Sequence, residues 1–553
     1  MGFLSRQAAL TVADAAVTLP FVRWTWSGLS DKRFSEALVE FRPSDGETVR
    51  EMMAGRYLLA SRLIDTAGVS PFLVSVEHSE WRDALHGFAW LRHFRDVRDP
   101  GERGFARTLA LDWIAHHGKF RTESWAIALT AQRVMNWLRH FPLLVDGATP
   151  EQAASIARSL RTQIQSLKLR ETLTREPVEQ LLATIALVGV ALCEKGEGPE
   201  LGRRLKRLHG HLSRQIDADG LHLSRNPRVQ LDLLAELVTL RQTLARTHRD
   251  RARALGEQVD RMHRALAVLT PGTGEPAYFN GCGQVPHDLL IAVQAQGDPV
   301  RRASGTLGGY GTLLAGRSDV IADSGLVPPL PFAGEAHASA LAFEFSYGTE
   351  LVFGSCGPAP SVLGDEAAAL REGIAHSAPT INNVSAGRIA PGGRLGGKLR
   401  PVDAAPTLTV DPAENTLVMR TESYRRRFNL ALERHITLLA EGTTLVGQDR
   451  IAAAGKRSPT GTLITRFHLA PGAIVERGAD EHLLEITLSD NSAWTFLWEG
   501  AELHVEESVR QSAHFGFHRT EQIVLEAPAV DGHEIAWIFT RNDGAAVPSR
   551  SRQ

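Results

Sequence analysis

Two histidines in the second half of this chain of 553 residues stand where proton chemistry is possible. His337 lies in the alternating run Gly334 to Ser346, and His376 lies in Ile374-Ala375-His376-Ser377-Ala378-Pro379-Thr380. An imidazole titrates near neutrality, so either ring can serve as base or acid at physiological pH. Glu335, two positions before His337, can orient that ring or act as a base itself, and Tyr310 offers a phenolic acid. Arg225, His222 and Arg175 are candidates for holding an anionic group, since a guanidinium meets a carboxylate or sulfate through parallel hydrogen bonds. No Ser-His-Asp arrangement has local support. The adjacent pair His116-His117 cannot share one helix face, so it is not expected to bind a metal.

The elements that must position these residues change character along the chain. Between about residues 30 and 295 apolar residues recur at helical spacing, which predicts helices over 47–63, 104–117, 124–144, 150–172, 177–193 and 229–247. Thr149-Pro150-Glu151-Gln152 is a helix start, with a capping hydroxyl, proline at the first turn and acid behind it. Seven of the ten tryptophans precede residue 140, and Trp113, Trp125 and Trp137 among them are expected in the core, although sugar-stacking platforms draw on the same residue type. Beyond residue 300, after the glycine-rich stretch Gly305 to Gly311, the period becomes two and turn residues become frequent. Strands are predicted over 341–345, 351–353, 408–410, 416–420, 428–432, 444–452, 464–469, 484–488, 494–498, 502–509 and 522–525, a spacing that suggests two stacked sheets. The fold class expected is multidomain, α then β.

Composition narrows the partners. With 43% hydrophobic and 22% charged residues the chain reads as globular, and a formal charge of -2 gives no general attraction to nucleic acid or an acidic membrane. The cysteines Cys193, Cys282 and Cys356 fit no metal spacing and are expected as buried thiols. Gly305 to Gly311 lacks the Lys-Ser/Thr of a phosphate loop, and no cofactor is expected. The apolar run from Ala8 to Leu19 is interrupted by Asp14 and is too short to span a bilayer, so a soluble protein with no evident signal peptide or transmembrane segment is expected.

Several landmarks occur in a fixed order. Asp219-Gly220-Leu221-His222-Leu223-Ser224-Arg225-Asn226-Pro227 is followed by Ala277-Tyr278-Phe279-Asn280-Gly281, by Asp323-Ser324-Gly325 and by the His337 segment. Thr465-Arg466-Phe467-His468-Leu469-Ala470-Pro471 and Glu506-Glu507-Ser508-Val509 come next. Together they resemble the heparinase II/III-like family of polysaccharide lyases. The resemblance implies an incomplete (α/α) toroid followed by an antiparallel β-sandwich, here an N-terminal extension over 1–40, a toroid over 41–297, a sandwich over 298–545 and a tail over 546–553. It further implies an acidic, uronate-containing polysaccharide or oligosaccharide as partner, and a periplasmic or envelope location.

β-Elimination of a uronate requires neutralising the substrate carboxylate, removing the C5 proton and protonating the departing oxygen. The resemblance assigns His337 and His376 to proton transfer, with Tyr310 and Glu335 as further catalytic candidates. By their own chemistry, His222, Arg225, Asn226 and Arg175 are expected to bind substrate. The chain departs from the family pattern at several places. Val229-Gln230 stands where Tyr-His is usual, and Thr174-Arg175-Glu176-Pro177 lacks the family's asparagine. Glu335 replaces the first histidine of the H-x-H-x-D pattern, Ser339 replaces its aspartate, and Ser355-Cys356-Gly357 replaces an Asp-x-Gly. A structural metal there is not expected, because such cations need several convergent ligands. The leading expectation is an eliminating lyase. Its alternatives are a catalytically impaired glycan-binding or envelope-associated scaffold, and a hydrolase using Glu335.

Overall fold

Sharp local signals start and stop the helices. In the computed structural model the described residues are 12–13, 34, 36–121, 123–194, 199–358, 367–391, 396–401, 404–455, 458–512 and 516–542. The expected tail and most of the expected N-terminal extension lie outside them. The helices are α1 (Gly46–Met53), α2 (Ser79–Gly87), α3 (Pro100–His117), α4 (Ile127–Val145), α5 (Pro150–Arg170), α6 (Pro177–Cys193), α7 (Pro199–Gln215), α8 (Pro227–Thr247), α9 (Arg249–Val268) and α10 (His287–Gln294). Thr149 forms the predicted cap of α5: its hydroxyl accepts from Gln152 N–H at 3.3 Å while the Gln152 side chain accepts from Thr149 N–H at 3.0 Å.

The helix expected over 47–63 is corrected. It stops at Met53, Gly55 adopts φ +85°, and a hairpin follows from β1 (Arg56–Leu59) to β2 (Arg62–Asp65). The left-handed glycine ends the helix, and Ala60 and Ser61 turn the hairpin with positive φ.

The chain divides into two compact units. One comprises Met1–Ile216, Asp232–Asp260 and Pro286–Gly297, and the other Asp217–Leu231, Arg261–Val285 and Asp298–Gln553. In the first, α4, α5, α6 and α7 pack in succession. Its core holds Trp81, Trp90, Trp113, Trp125 and Trp137, all buried as expected. The Arg133 guanidinium lies 4.2 Å over the Trp113 ring and spends its donors on Gln163, Thr130 and the carbonyls of His86 and Ser124.

The second unit is built on β3 (Gly305–Leu307), β4 (Tyr310–Ala315), β5 (Ser318–Asp323), β6 (Ala342–Tyr347), β7 (Glu350–Gly354), β8 (Pro379–Ile381), β9 (Gly387–Ile389), β10 (Leu399–Pro401), β11 (Thr407–Asp411), β12 (Thr416–Thr421) and β13 (Leu430–Leu439). It continues with β14 (Thr444–Ala453), β15 (Thr462–Leu469), β16 (Ile474–Arg477), β17 (Leu483–Thr487), β18 (Ala493–Glu499), β19 (Glu502–Ser512), β20 (Gly516–Pro528) and β21 (Glu534–Arg541). One antiparallel sheet runs β11-β12-β13-β14-β21-β18-β17-β16 and the other β19-β20-β15-β7-β6-β5-β4-β3, with β8 against β15. Side chains from both fill one core; the Phe343 and Trp537 rings, for example, stack 5.7 Å apart. The glycine-rich stretch is a hairpin: Gly308 and Gly309 take φ +52° and +87° between the paired Leu307 and Tyr310. Tyr424-Arg425-Arg426-Arg427 leads into the short helix α11 (Arg425–Phe428), immediately before β13.

A buried ion pair lies inside this sandwich. Arg434 on β13 and Asp449 on β14 pair through two hydrogen bonds, one of 2.8 Å. Arg434 also donates to the carbonyls of Leu341 and Ser377, and Asp449 accepts from Thr465 on the opposite sheet at 3.0 Å. Asp449→Ala therefore leaves a buried cation unmatched and is expected to cost about 3–5 kcal/mol. The double change Arg434→Met with Asp449→Leu is expected to cost less. Urea midpoints would check this; a single variant as stable as the double would contradict it.

Candidate functional site

The landmark turns converge inside the β-rich unit. Asp217 Oδ1 accepts from Leu221 N–H at 2.8 Å, and Gly220 takes φ +90° where a Cβ would lie 2.4 Å from the Arg261 carbonyl. Gln230 locks the turn, accepting from His222 N–H at 2.9 Å and donating to the carbonyls of Gly220 and Met262. Asn226 Oδ1 accepts from Arg228 N–H at 2.8 Å, capping α8. Arg225, at φ +57°, is turned toward Asp323, which its guanidinium meets at 2.7 Å. The remaining Arg225 donors go to the carbonyls of Gly308 and Leu326, and the guanidinium lies 4.2 Å over the Tyr310 ring.

Asn280 ties these groups to His337. Its amide nitrogen donates to Tyr310 Oη at 2.6 Å and to Asp323 Oδ2 at 3.1 Å, while its oxygen accepts from His337 N–H at 3.3 Å. Tyr310 donates in turn to the Arg225 carbonyl. The phenol is fully buried, which drives its pKa far above the ordinary value and keeps it protonated. The structure thus joins Arg225, Tyr310 and His337 with Asp323 and Asn280, which the sequence displayed as landmarks but not as partners.

The histidines are buried and neutral. His337 Nε2 accepts from Gly281 N–H at 2.9 Å, so its proton sits on Nδ1, which has no partner. The His376 ring lies 4.6 Å from that of His337, and neither of its nitrogens is hydrogen-bonded. Burial lowers the pKa of His337 to about 3 and depresses His376 in the same direction, with each further opposed by a neighbouring cationic or imidazole group. His222 Nδ1 takes the Ser224 N–H at 3.1 Å, and burial lowers its pKa to about 3. Sequence reasoning passed over His468, whose Nε2 donates to the Ile374 carbonyl at 3.0 Å and whose Nδ1 meets Ser508 Oγ at 2.7 Å. Glu335 exposes its side chain and packs along Gly281. Arg175 belongs to the helical unit, on the turn between α5 and α6. Cys193, Cys282 and Cys356 are buried thiols, as expected. Among the described residues, no group of three His, Cys, Asp or Glu side chains is placed to hold a metal ion.

A cavity of about 630 Å³ opens within the same unit. Its walls are mainly apolar, with Leu326, Val327, Leu330 and Leu399 among them, and His337 and Ser339 line it.

Residues 298–538 match the family described as Heparinase II/III-like, C-terminal. The chain carries a heparinase II/III-like C-terminal domain. Among solved structures, Heparinase III aligns with a TM-score of 0.70 and 12% identity, covering 94% of this chain and 87% of that one. A mutant of the heparan sulfate lyase HepC from Pedobacter heparinus aligns at 0.60 and 15%, covering 100% of this chain and 93% of its own. At such identities the likeness is one of fold, and it agrees with the expected helical toroid followed by a β-sandwich. FtsZ-localized protein C of Caulobacter vibrioides (strain NA1000 / CB15N) is 28% identical over 574 residues, 98% of this chain and 97% of that protein. In the heparinase II/III-like domain of this chain, Gly325 and His337 both line the cavity, and the turn at Arg225 is bonded to Asp323, two positions before Gly325.

Acid will test the neutral histidines. His222, His337 and His468 have folded pKa values of about 3, 3 and 4, below the unfolded value near 6.5. The unfolded chain therefore binds more protons in that window, and stability is fully present above pH 6.5 and lost as pH falls through it. Each such imidazole is expected to cost about 1.4 kcal/mol per pH unit. A clear drop of the urea midpoint between pH 7 and pH 5 is expected, and an unchanged midpoint would contradict burial in the neutral form.

Proposed function

We propose that this protein is a glycan-binding member of the heparinase fold that holds an acidic polysaccharide and has lost efficient β-elimination. One observation carries the reading. The groups an eliminating site would present to a uronate are consumed by the fold: Arg225 is spent on Asp323, and the Tyr310 hydroxyl is spent on the Arg225 carbonyl and Asn280. An electrophilic cation and a phenolic acid so committed cannot be turned to substrate without breaking buried hydrogen bonds.

A basic groove supports the anionic partner. Within the helical unit an open groove of about 580 Å³ is lined by Arg203, Lys206, Arg207 and Arg214 from one face of α7. Glu171, the acid beside them, is already met by Arg204 at 3.0 Å and by Arg207 at 3.3 Å. The whole chain is slightly acidic, so this concentration of guanidinium groups is local. The near full-length similarity to FtsZ-localized protein C supports an association with FtsZ. Among the described residues no helix is long and apolar enough to cross a membrane.

The second reading is elimination itself, with His337 and His376 as the proton-transfer pair. It is favoured by the ring nitrogens that lack partners. Incubation with a panel of uronate polymers, heparan sulfate among them, separates the two. The first reading expects retention of polymer with no rise in the ultraviolet absorbance of an unsaturated product. An absorbance rise that disappears in His337→Ala and His376→Ala establishes the second. Arg203→Glu with Lys206→Glu should weaken polymer binding roughly tenfold at low salt; undiminished binding would remove the groove from the proposal. Co-sedimentation with FtsZ polymers should carry the protein into the pellet, and its absence from the pellet would end the FtsZ assignment.

A further inference from the structure

The cavity beside His337 has a composition that selects its ligand. Its walls are built from Leu326, Val327, Pro328, Pro329, Leu330 and Leu399, with small alanines between them. Two polar atoms face no protein partner: His337 Nδ1 and Ser339 Oγ, on side chains that are 3% and 1% exposed. Such orphaned polar atoms are costly in a folded protein and mark places where a ligand or water completes the bonding. Because His337 Nε2 already accepts from Gly281 N–H, the free Nδ1 is a donor, and the Ser339 hydroxyl can be a second.

Charge narrows the class. Among the described residues, Arg400 on β10 is the one formally charged residue lining the cavity, and it is exposed. A carboxylate or sulfate seated beside His337 and Ser339 would be desolvated among apolar walls, and solvent-exposed Arg400 is the one cation of the described lining that could meet it. An uncharged acceptor oxygen bearing a small apolar substituent suits both the donors and the walls. On a saccharide, that description is met by an acetamido group.

We propose that this cavity binds the N-acetyl group of an amino sugar, its carbonyl oxygen accepting from His337 Nδ1 and Ser339 Oγ and its methyl packed against the leucine and proline walls. The assignment rests on the glycan-binding reading and adds to it the sugar class that one subsite takes. The anion-binding groove of the helical unit is a separate feature, with separate residues.

The test uses the full chain with N,N′-diacetylchitobiose, with chitobiose carrying free amines, and with a uronate oligosaccharide. Saturation-transfer NMR should show the acetamido methyl as the most strongly saturated ligand group, and the free-amine disaccharide should bind far more weakly. Ser339→Ala should weaken diacetylchitobiose roughly three- to tenfold, the worth of one neutral hydrogen bond. Ala405→Trp, at the exposed mouth of the cavity, should abolish binding without touching the core, as an unchanged thermal transition would verify. Equal binding of both disaccharides, or unchanged affinity in Ala405→Trp, overturns the assignment. If the uronate oligosaccharide binds and diacetylchitobiose does not, this inference falls alone. If no saccharide binds, the glycan reading falls with it.

Discussion

The β-rich unit depends on one buried ion pair. Arg225 and Asp323 lie 98 positions apart, almost wholly excluded from solvent, and meet at 2.7 Å. A buried charge is tolerable only when it is matched and its remaining hydrogen-bonding capacity is used. Both conditions hold. Arg225 places its other donors on the carbonyls of Gly308 and Leu326, and Asp323 accepts from Asn280 and from Gly325 N–H. The pair therefore fixes the Asp219 turn, the end of α9's following loop, the β3–β4 hairpin and the segment after β5 in one arrangement. Arg225 and Asn280 both hold positive φ, a conformation costing an L-residue roughly 1–2 kcal/mol that persists because the surrounding bonds over-determine it.

The second buried pair solves a different problem. Two apolar sheet faces can slide over one another with little change in buried area, since the hydrophobic effect is non-directional. Arg434 and Asp449 supply direction: they bind to each other and to Leu341, Ser377 and Thr465, which belong to the other sheet or its loops. The aromatic layer around Phe343, Phe467 and Trp537 then packs in a single alignment. Ionic contacts set the geometry and apolar burial supplies the stability.

Much of this was legible in the amino-acid pattern, for reasons that differ by element. The helix over 177–193 begins at a proline and ends where its apolar run ends, so periodicity located it without error. Alternation located β12, β14, β17 and β18, each buried on one face. The hairpin β3–β4 was obscured because the glycine-rich stretch marked only the change of period, although two consecutive left-handed residues such as Gly308 and Gly309 are what a tight hairpin turn needs. At the site, residue types were visible and their commitments were not. Nothing in Tyr310 or Arg225 as letters reveals that the phenol is spent on the Arg225 carbonyl and the guanidinium on Asp323, because these partners lie 85 and 98 positions away and burial is a property of the packed chain.

That distinction bears on what a family resemblance reports. The landmarks that carry it here, from Asp219-Gly220 through Asn280 to Asp323, make up the hydrogen-bonded frame, so their presence speaks for a fold. Chemistry rests on positions outside the frame, and those are where this chain departs. Gln230, where the family has histidine, clamps the turn by bonding Gly220, His222 and Met262. Ser339, where an aspartate would stand, removes the anion that could orient or charge His337 and leaves a small hydroxyl in an apolar cavity. An imidazole without a carboxylate partner, buried against a second imidazole, stays neutral and presents an N–H rather than a lone pair to the cavity. The frame shared with the heparinase fold thus surrounds neutral imidazoles, of which His337 offers hydrogen-bond donation to the cavity.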